Sequence, residues 1–256
     1  MRYASGAIQI SESADLPVLR MVYRAGHLTI QQLYDSLNIA ATAKTMWDSF
    51  RWRIRRLVQH EFLERTEVDG LGAVLSLGIN GELFLQSKET TIVERSSRTG
   101  RGNQRDQVWH DVDVFEIQMA LRRAGVVRYW QFETEIRAQN DFTTCGYRKD
   151  YDAIITFSVN GSSAQVALEY ERTCKSTSEY ERICAELNLE TRVSAFLYLA
   201  RNPQLYSFLL HGLRLTTRHL YVGAMQEFCA DPLNADLVDV RLGIMRRLEE
   251  CLDDAK

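Results

Sequence analysis

Apolar residues recur at helical spacing near the start of the chain and then alternate with polar residues in two short runs. The spacing predicts three helices, and the alternation predicts two strands joined by the turn Asp69–Gly72. Thr29, a residue type that caps helices, precedes the second helix. The predicted elements are helices over Ala14–Ala25, Ile30–Asn38 and Thr42–His60, strands over Phe62–Thr66 and Ala73–Leu77, and a helical turn over Asn80–Gln86.

Three helices followed by a two-stranded wing form the winged type of helix-turn-helix. The segments LTIQQLYDSL, RWRIRRLVQHEFLERT and LGINGELFL resemble the matching segments of many winged-helix regulators. This resemblance implies binding to double-stranded DNA, with the third helix in the major groove. Residues 44–56 carry five basic side chains and one acid, which favours nucleic acid over the alternatives, a solvated helix face or a protein-docking module.

The DNA interpretation assigns a role to each polar position of the third helix. Thr42, Lys44, Thr45 and Asp48, at its beginning, would approach base edges. Later positions would mainly contact phosphates. These are Arg51, Arg53, Arg55 and Arg56.

The second half of the chain alternates helical and strand patterns, which predicts an α/β domain with a mixed sheet. A strand over Val126–Ile136 would place Glu133 and Glu135 on one face. The other predicted elements are helices over Gln107–Ala124, Ser176–Asn188, Pro203–Gly212 and Leu237–Leu252, and strands over Val193–Ala200 and Leu215–Val222.

An Asn160–Gly161 step between two alternating runs predicts a tight hairpin. If these residues form the whole loop, Val159 faces Ser162, and Asp152 lies opposite Glu169. The same count places Asp150 opposite Glu171, so one face would be acidic. The other would be core, filled by Tyr151, Ala153, Ile155, Phe157, Val166, Leu168 and Tyr170. Opposed carboxylates repel, so a divalent cation, Lys or Arg side chains, or protonation must compensate.

The two parts of the chain differ in net charge. Residues 1–105 carry 14 Lys and Arg against 11 Asp and Glu, a balance of +3, whereas residues 106–256 carry 17 against 23, a balance of -6. We therefore expect a winged-helix domain over 1–87, a basic flexible linker over 88–106 and an acidic α/β domain over 107–256.

Five cysteines without a CxxC pair argue against a zinc site or disulfide scaffold. No signal peptide or membrane span is evident, so a cytoplasmic protein is expected.

The segments WHDVDVFEIQMALRRAG, QFETEIR, YDAIITF and ALEYERTCKSTSEYERI resemble the replication-relaxation family of plasmids and other mobile elements. Its members join a winged helix to a restriction-endonuclease-like α/β domain. The family's acidic positions map onto Asp152, Glu169 and Glu171, and its basic or hydroxylated position onto Thr173 or Lys175. Two residues depart from the family pattern: Tyr151 stands where proline is common, and Glu171 where an active endonuclease has lysine.

Phosphodiester cleavage needs a metal held by carboxylates and a lysine that helps to activate water. Asp152, Glu169, and Glu133 or Glu135 are candidate Mg²⁺ ligands, and with Glu171 and Lys175 they are the candidate catalytic residues. Two alternatives are an ion-pair cluster, in which Glu169 and Glu171 pair with Arg172, Lys175 or Arg182, and a metal or ligand site without turnover.

The sequence favours a DNA-binding regulator of a plasmid or other mobile element, whose nuclease-like domain is a scaffold, a homodimer interface or a sensor. The alternative is a Mg²⁺-dependent DNA nickase or endonuclease.

Overall fold

The computed structural model describes residues 8–39, 45–88, 104–159 and 162–254. The chain divides into two compact units, the first ending at Phe115 and the second beginning at Glu116. Among the described helices, none combines the length and the apolar character that a membrane crossing requires.

The first unit has the winged helix-turn-helix order that the sequence predicts. Its helices are α1 Leu16–Ala25, α2 Ile30–Asn38, α3 Trp47–Gln59 and α4 Ile79–Lys88, joined by the first part of α5 Gln104–Arg123. Its strands, β1 Leu28–Thr29, β2 Leu63–Val68 and β3 Gly72–Leu77, form an antiparallel sheet in the order β1-β3-β2. The predicted cap of α2 is confirmed, because the Gln32 N–H donates to Thr29 Oγ1 at 3.1 Å.

The wing formed by β2 and β3 packs against the first part of α5. Val74 of β3 lies in one apolar cluster with Val108 and Val112. At the wing turn Gly70 has φ +84°, and a Cβ there would lie 3.1 Å from the Trp109 ring. The first unit therefore includes residues of α5 up to Phe115.

The second unit is a mixed α/β domain, which confirms the predicted fold class. Beyond α5 it contains β4 Val127–Phe132, α6 Glu133–Phe142, β5 Ala153–Val159, β6 Ser162–Glu171, α7 Thr177–Leu189, β7 Ala195–Ala200, α8 Pro203–Gly212, β8 His219–Ala224, α9 Met225–Ala230, β9 Leu237–Asp239, β10 Ile244–Arg246 and α10 Leu248–Asp254. The sheet order is β10-β9-β8-β7-β6-β5-β4. Strands β6, β7 and β8 run parallel, and the remaining neighbours are antiparallel.

The predicted pairing of β5 with β6 is confirmed. Val159 lies opposite Ser162, and the ladder continues without a slip to Ala153 opposite Leu168. Asn160 and Gly161 lie outside the described residues. The next residues along the ladder are Asp152 and Glu169, as the sequence count requires.

The prediction of one core face and one acidic face was wrong, because both faces of this sheet are buried. Ile154 and Ala167 lie on the face predicted to be acidic, in a cluster that includes residues of α7 and α8. Tyr151 also joins this cluster rather than the face of Ala153, since it precedes the regular strand. Mixed sheets in α/β domains are commonly covered by helices on both sides, so alternation alone could not identify a solvent face.

Two predicted elements need correction. The strand expected over Val126–Ile136 ends at Phe132, and helix α6 begins at Glu133 because Glu135 Oε2 accepts the Phe132 N–H at 2.9 Å. The single helix expected over Leu237–Leu252 is instead β9, β10 and α10. The carboxylate of Asp239 accepts the Arg241 N–H at 2.9 Å and so turns the chain after β9.

Candidate functional site

Helix α3 presents a basic and aromatic outer face. Phe50, Ile54 and Leu57 are buried on its inner side. The period of the helix places other residues of α3 on the opposite, outer side. The exposed residues are Asp48, Ser49, Arg51, Trp52, Arg55 and Gln59. The Trp52 side chain is 61% exposed, and the Arg56 guanidinium lies 5.5 Å from the centre of its ring. We call Arg51, Trp52 and Arg55 the α3 outer face.

Two arginines of α3 have a different environment from the outer face. Arg53 Nε lies 3.3 Å from Asp15 Oδ1, and Arg56 Nη2 contacts Asp15 Oδ2. The Asp15 side chain is 1% exposed, and the Ser11 N–H also donates to it at 2.8 Å. Because these two guanidinium groups neutralise a buried carboxylate, they tie the start of α1 to α3.

The residues predicted to approach bases lie at or before the start of α3. Thr45 is fixed by its backbone: its N–H donates to Asn38 Oδ1 at 2.8 Å, and its carbonyl accepts from the Tyr34 hydroxyl at 2.8 Å. Thr42 and Lys44 lie outside the described residues. Thr45 therefore leads into α3 from a position held by α2.

In the second unit, acidic and basic side chains gather where β5 begins and β6 ends. Asp152 directly precedes β5, Glu169 and Glu171 close β6, and Lys175 follows β6 ahead of α7. Lys149 reaches the same place from the segment before β5. We call these five residues the carboxylate–lysine cluster.

One oxygen of each carboxylate in the cluster contacts a cation or a hydrogen-bond donor. Lys149 Nζ lies 2.8 Å from Glu169 Oε1, and Lys175 Nζ contacts Glu171 Oε1. Asp152 Oδ2 accepts the backbone N–H of Tyr170 at 2.7 Å. Both glutamates are buried, so their charges are compensated inside the protein rather than by solvent.

Burial sets the proton affinities of the central pair. It raises the pKa of the Glu169 carboxyl to about 7, against the opposing influence of Lys149. Burial also disfavours the ammonium form of Lys149, but the attraction and hydrogen bond from Glu169 outweigh it and raise the pKa of Lys149. On Glu169, burial therefore favours the neutral carboxyl, whereas Lys149 favours the carboxylate. Above the Glu169 pKa the two groups form an ion pair, with 2.8 Å between Nζ and Oε1.

The remaining predicted acids make their contacts on and beside α6. Glu133 forms a 2.7 Å ion pair with Arg137, and Glu135 caps the helix. Asp150, predicted to face Glu171, instead accepts from Asn140 Nδ2 at 2.7 Å and lies 3.5 Å from Arg137 Nε. In the part of the chain that the structure describes, no three His, Cys, Asp or Glu side chains converge closely enough to hold a metal ion.

The Mg²⁺ ion that the family resemblance implies does not fit this arrangement. Ammonium groups already lie against Glu169 and Glu171, and a backbone amide binds Asp152. A divalent cation at these carboxylates would face two like-charged lysines at close range. Magnesium as a cofactor therefore stays a prediction of the sequence that the geometry does not favour.

Sequence reasoning missed Lys149 and Tyr198 as members of this region. Lys149 precedes the strand, where no periodicity assigns its direction, although its position three residues before Asp152 was a signal. Tyr198 pairs with Glu169 across β6 and β7 and is completely buried. Its strand reads as a simple apolar run, which hides a hydroxyl group beside the acids.

No family model and no curated protein matches this sequence, so the resemblance to the replication-relaxation family stays a prediction. Among solved structures, the chain is similar to the restriction endonuclease FokI bound to DNA, with 15% identity and a TM-score of 0.27. A second structure of the restriction endonuclease FokI gives 12% identity and a TM-score of 0.31. Each alignment covers 88% of this chain, and the chain spans 45% and 44% of the two FokI chains. Likenesses this weak carry no argument about function.

Proposed function

We propose that this protein binds double-stranded DNA through its winged helix and that the α/β unit acts as a non-cleaving partner domain. The observation that carries the proposal is the α3 outer face: Arg51, Trp52 and Arg55 are exposed on the third helix of a winged helix-turn-helix. In this motif the third helix is the one that enters the major groove.

The spacing of the outer face suits a DNA backbone. Arg51 and Arg55 are four residues apart and so lie on the same side of α3, one turn from each other. Arginine is well matched to phosphate because its guanidinium group donates two parallel hydrogen bonds. Trp52 between them offers an apolar surface to the sugars or groove edges, and Thr42, Lys44 and Thr45 would lie nearest the bases.

Arg53 and Arg56 have a different role in the proposal from that of Arg51 and Arg55. Their assignment to phosphates stays a prediction, but their pairing with Asp15 supports a structural role in which they hold α3 against α1. We therefore assign the electrostatic contacts to Arg51 and Arg55 in the first place.

The biological role that we propose is regulation of a plasmid or other mobile element, at the level of replication, mobilisation or transcription. The family resemblance supports this context. The internal neutralisation of Glu169 and Glu171 supports a domain that does not cut DNA. The alternative, a Mg²⁺-dependent nickase or endonuclease, draws on the closeness of Asp152 to Glu169. This alternative is tested by incubating supercoiled plasmid with the protein and Mg²⁺ or Mn²⁺. Cleavage by the wild type that is absent from the Asp152→Asn variant would overturn the non-cleaving role.

DNA binding is tested by measuring affinity over a range of salt concentrations. The double variant Arg51→Ala/Arg55→Ala should weaken binding and reduce the slope of log affinity against log salt by about 1.8, which is 0.9 for each phosphate contact. Arg182→Ala/Arg214→Ala removes the same charge from exposed positions of the second unit and is the matched control. An equal loss in both double variants, or an unchanged slope in the first, would contradict the proposed interface.

A further inference from the structure

Three arginines of the second unit lie around one buried glutamate, Glu190. We call Arg148, Arg192 and Arg218 the Glu190 arginine patch. We propose that this patch is a second contact surface for the phosphate backbone of double-stranded DNA. The inference rests on the proposed function, because it gives the α/β unit a part in holding the polymer that the winged helix binds.

The Glu190 carboxylate fixes the backbone at two points of the patch. Glu190 is 1% exposed, and its Oε2 accepts the Arg148 N–H at 2.9 Å while its Oε1 accepts the Arg192 N–H at 2.7 Å. The Tyr151 hydroxyl lies 3.3 Å from Oε2. Because one carboxylate binds both backbone N–H groups, the side chains of Arg148 and Arg192 extend from neighbouring points, although the two residues are far apart in sequence.

Two guanidinium groups of the patch are held by uncharged partners. Arg192 Cζ lies 5.3 Å from the centre of the Tyr147 ring, in the residue that directly precedes the first arginine of the patch. Arg218 donates from Nη2 to the Val193 carbonyl at 2.6 Å and from Nη1 to the Glu190 carbonyl. A ring and two carbonyls orient these groups without cancelling their positive charge.

The patch keeps an excess of positive charge. Within the described part of the chain, no carboxylate side chain forms an ion pair with the guanidinium group of Arg148, Arg192 or Arg218. Arg148 and Arg192 are exposed, and Arg218 is half-buried. Glu190 sets one negative charge against these three positive charges. Since residues 106–256 carry a balance of -6, the patch runs against the charge of its own domain.

Phosphate is the anion that suits these side chains. A guanidinium group donates two parallel hydrogen bonds to a phosphate, and DNA presents phosphates at regular intervals, so that several arginines of one surface can bind together. A duplex held by the winged helix is also present at high effective concentration near the rest of the chain, so a weak second contact adds to the total affinity. An acidic peptide is the other class of partner, and the experiment distinguishes it.

The test measures the affinity of the full-length protein for random-sequence duplex DNA by fluorescence anisotropy over a range of salt concentrations. Arg148→Ala/Arg192→Ala removes two exposed guanidinium groups and keeps both backbone N–H groups on Glu190. It should weaken binding and reduce the slope of log affinity against log salt by about 1.8, which is 0.9 for each phosphate contact. Arg148→Lys/Arg192→Lys retains the charges and should keep the wild-type slope.

Two further variants make the result specific. Arg123→Ala/Arg128→Ala removes the same charge from exposed positions on α5 and β4 of the second unit and should leave the slope unchanged. Circular dichroism checks that each variant is folded. Should the alanine variant of the patch fail to fold, Arg148→Gln/Arg192→Gln is judged by the same criterion.

Failure of this inference and failure of the proposed function give different results. A slope reduced by Arg51→Ala/Arg55→Ala but not by the patch variant would overturn the second contact and leave the winged-helix interface standing. A slope reduced only by the patch variant would support the patch and contradict the α3 outer face. A wild type that does not bind DNA would overturn both.

Three other outcomes would overturn the role of the patch. One is a loss of slope in the lysine variant equal to that in the alanine variant, since charge would then not explain the effect. Another is an equal loss in Arg123→Ala/Arg128→Ala, since any removed charge would then act alike. The third is binding of poly-L-glutamate that the patch variant loses while its DNA affinity stays at the wild-type value, since the partner would then be an acidic peptide.

Discussion

Lys149 Nζ lies 2.8 Å from Glu169 Oε1 and thereby joins a residue that precedes β5 to one at the end of β6. The Glu169 carboxylate is buried, so this lysine compensates a charge that water does not reach. Buried pairs of this kind contribute little compared with a well-packed apolar pair, but they are costly to break on one side only. The predictions for the second unit follow from that asymmetry.

At pH 8, where Glu169 is ionised beside Lys149, Lys149→Met should lower the free energy of unfolding by about 3 kcal/mol, because Glu169 must then either stay charged without its partner or take up a proton. Urea unfolding followed by circular dichroism measures the loss. The double variant Lys149→Met/Glu169→Gln should recover most of it, since the unpaired charge is gone.

The exposed pair Lys88–Glu12 provides the comparison for this prediction. Lys88→Met removes a cation of the same kind at the surface and should cost much less than Lys149→Met. Equal losses for the two lysines, or a double variant no more stable than Lys149→Met alone, would show that the contact does not hold a buried charge.

Glu169 should make the protein less stable as the pH rises. Burial raises its pKa from 4.5 to about 7, so the folded state binds the proton more tightly than the unfolded state does. A carboxyl of this kind favours folding below about pH 4.5 and loses that contribution progressively up to about pH 7. At 1.36 kcal/mol per pKa unit, the total is about 3 kcal/mol.

The measurement is unfolding free energy from pH 4.5 to 8 for the wild type and for Glu169→Gln, which has no proton to lose. The unfolding free energy of the wild type, relative to that of Glu169→Gln, should fall as the pH rises and become constant above about pH 7. The charged and titratable groups around Glu169 are Lys149, Asp152, Glu171 and Tyr198. Parallel curves for the two proteins would assign the pH dependence to those neighbours instead.

Thr29→Ala should destabilise the first unit by about 1 kcal/mol, because it removes one half of the reciprocal cap at the start of α2. The remaining half, in which Gln32 Oε1 accepts the Thr29 N–H at 3.2 Å, is a backbone contact and persists. Thr66→Ala, at an exposed position of β2, is the control and should change stability by less than about 0.5 kcal/mol. A loss at Thr29 no larger than at Thr66 would contradict the role of the cap.

The sequence determined the parts of the fold where local rules are strict. The register of β5 and β6 follows from the hairpin count, since side chains alternate with a period of two. The cap at Thr29 follows from a threonine with a glutamine three residues later. In both cases the residues that decide the structure are neighbours in the chain.

Prediction failed where one local pattern hides another and where distant contacts decide. Glu133 and Glu135 fit a strand by alternation, but the cap at Phe132 starts a helix there. The face of β5 that carries Ile154 was expected to be acidic, because nothing local indicates that α7 and α8 cover it. Lys149 was missed for the same reason: its partner is twenty residues away, and only the folded sheet brings the two together.

Arg53 and Arg56 should affect stability more than DNA affinity, in contrast to Arg51 and Arg55. The variant Arg53→Ala/Arg56→Ala leaves Asp15 buried without a cation and should lower the unfolding free energy by about 3 kcal/mol. The variant Arg51→Ala/Arg55→Ala removes two exposed side chains and should change it by less than about 1 kcal/mol. Urea unfolding of both double variants, at one salt concentration, makes the comparison.

Asp15→Asn separates the two roles within one experiment. Added to Arg53→Ala/Arg56→Ala, it removes the uncompensated charge. Part of the lost stability should return, because the loss comes from leaving Asp15 charged and unpaired and not only from the missing arginine side chains. The restored protein should then bind DNA with a salt dependence close to that of the wild type, since Arg51 and Arg55 are intact. A restored variant whose salt slope has fallen by about 1.8 would place Arg53 and Arg56 on the phosphates.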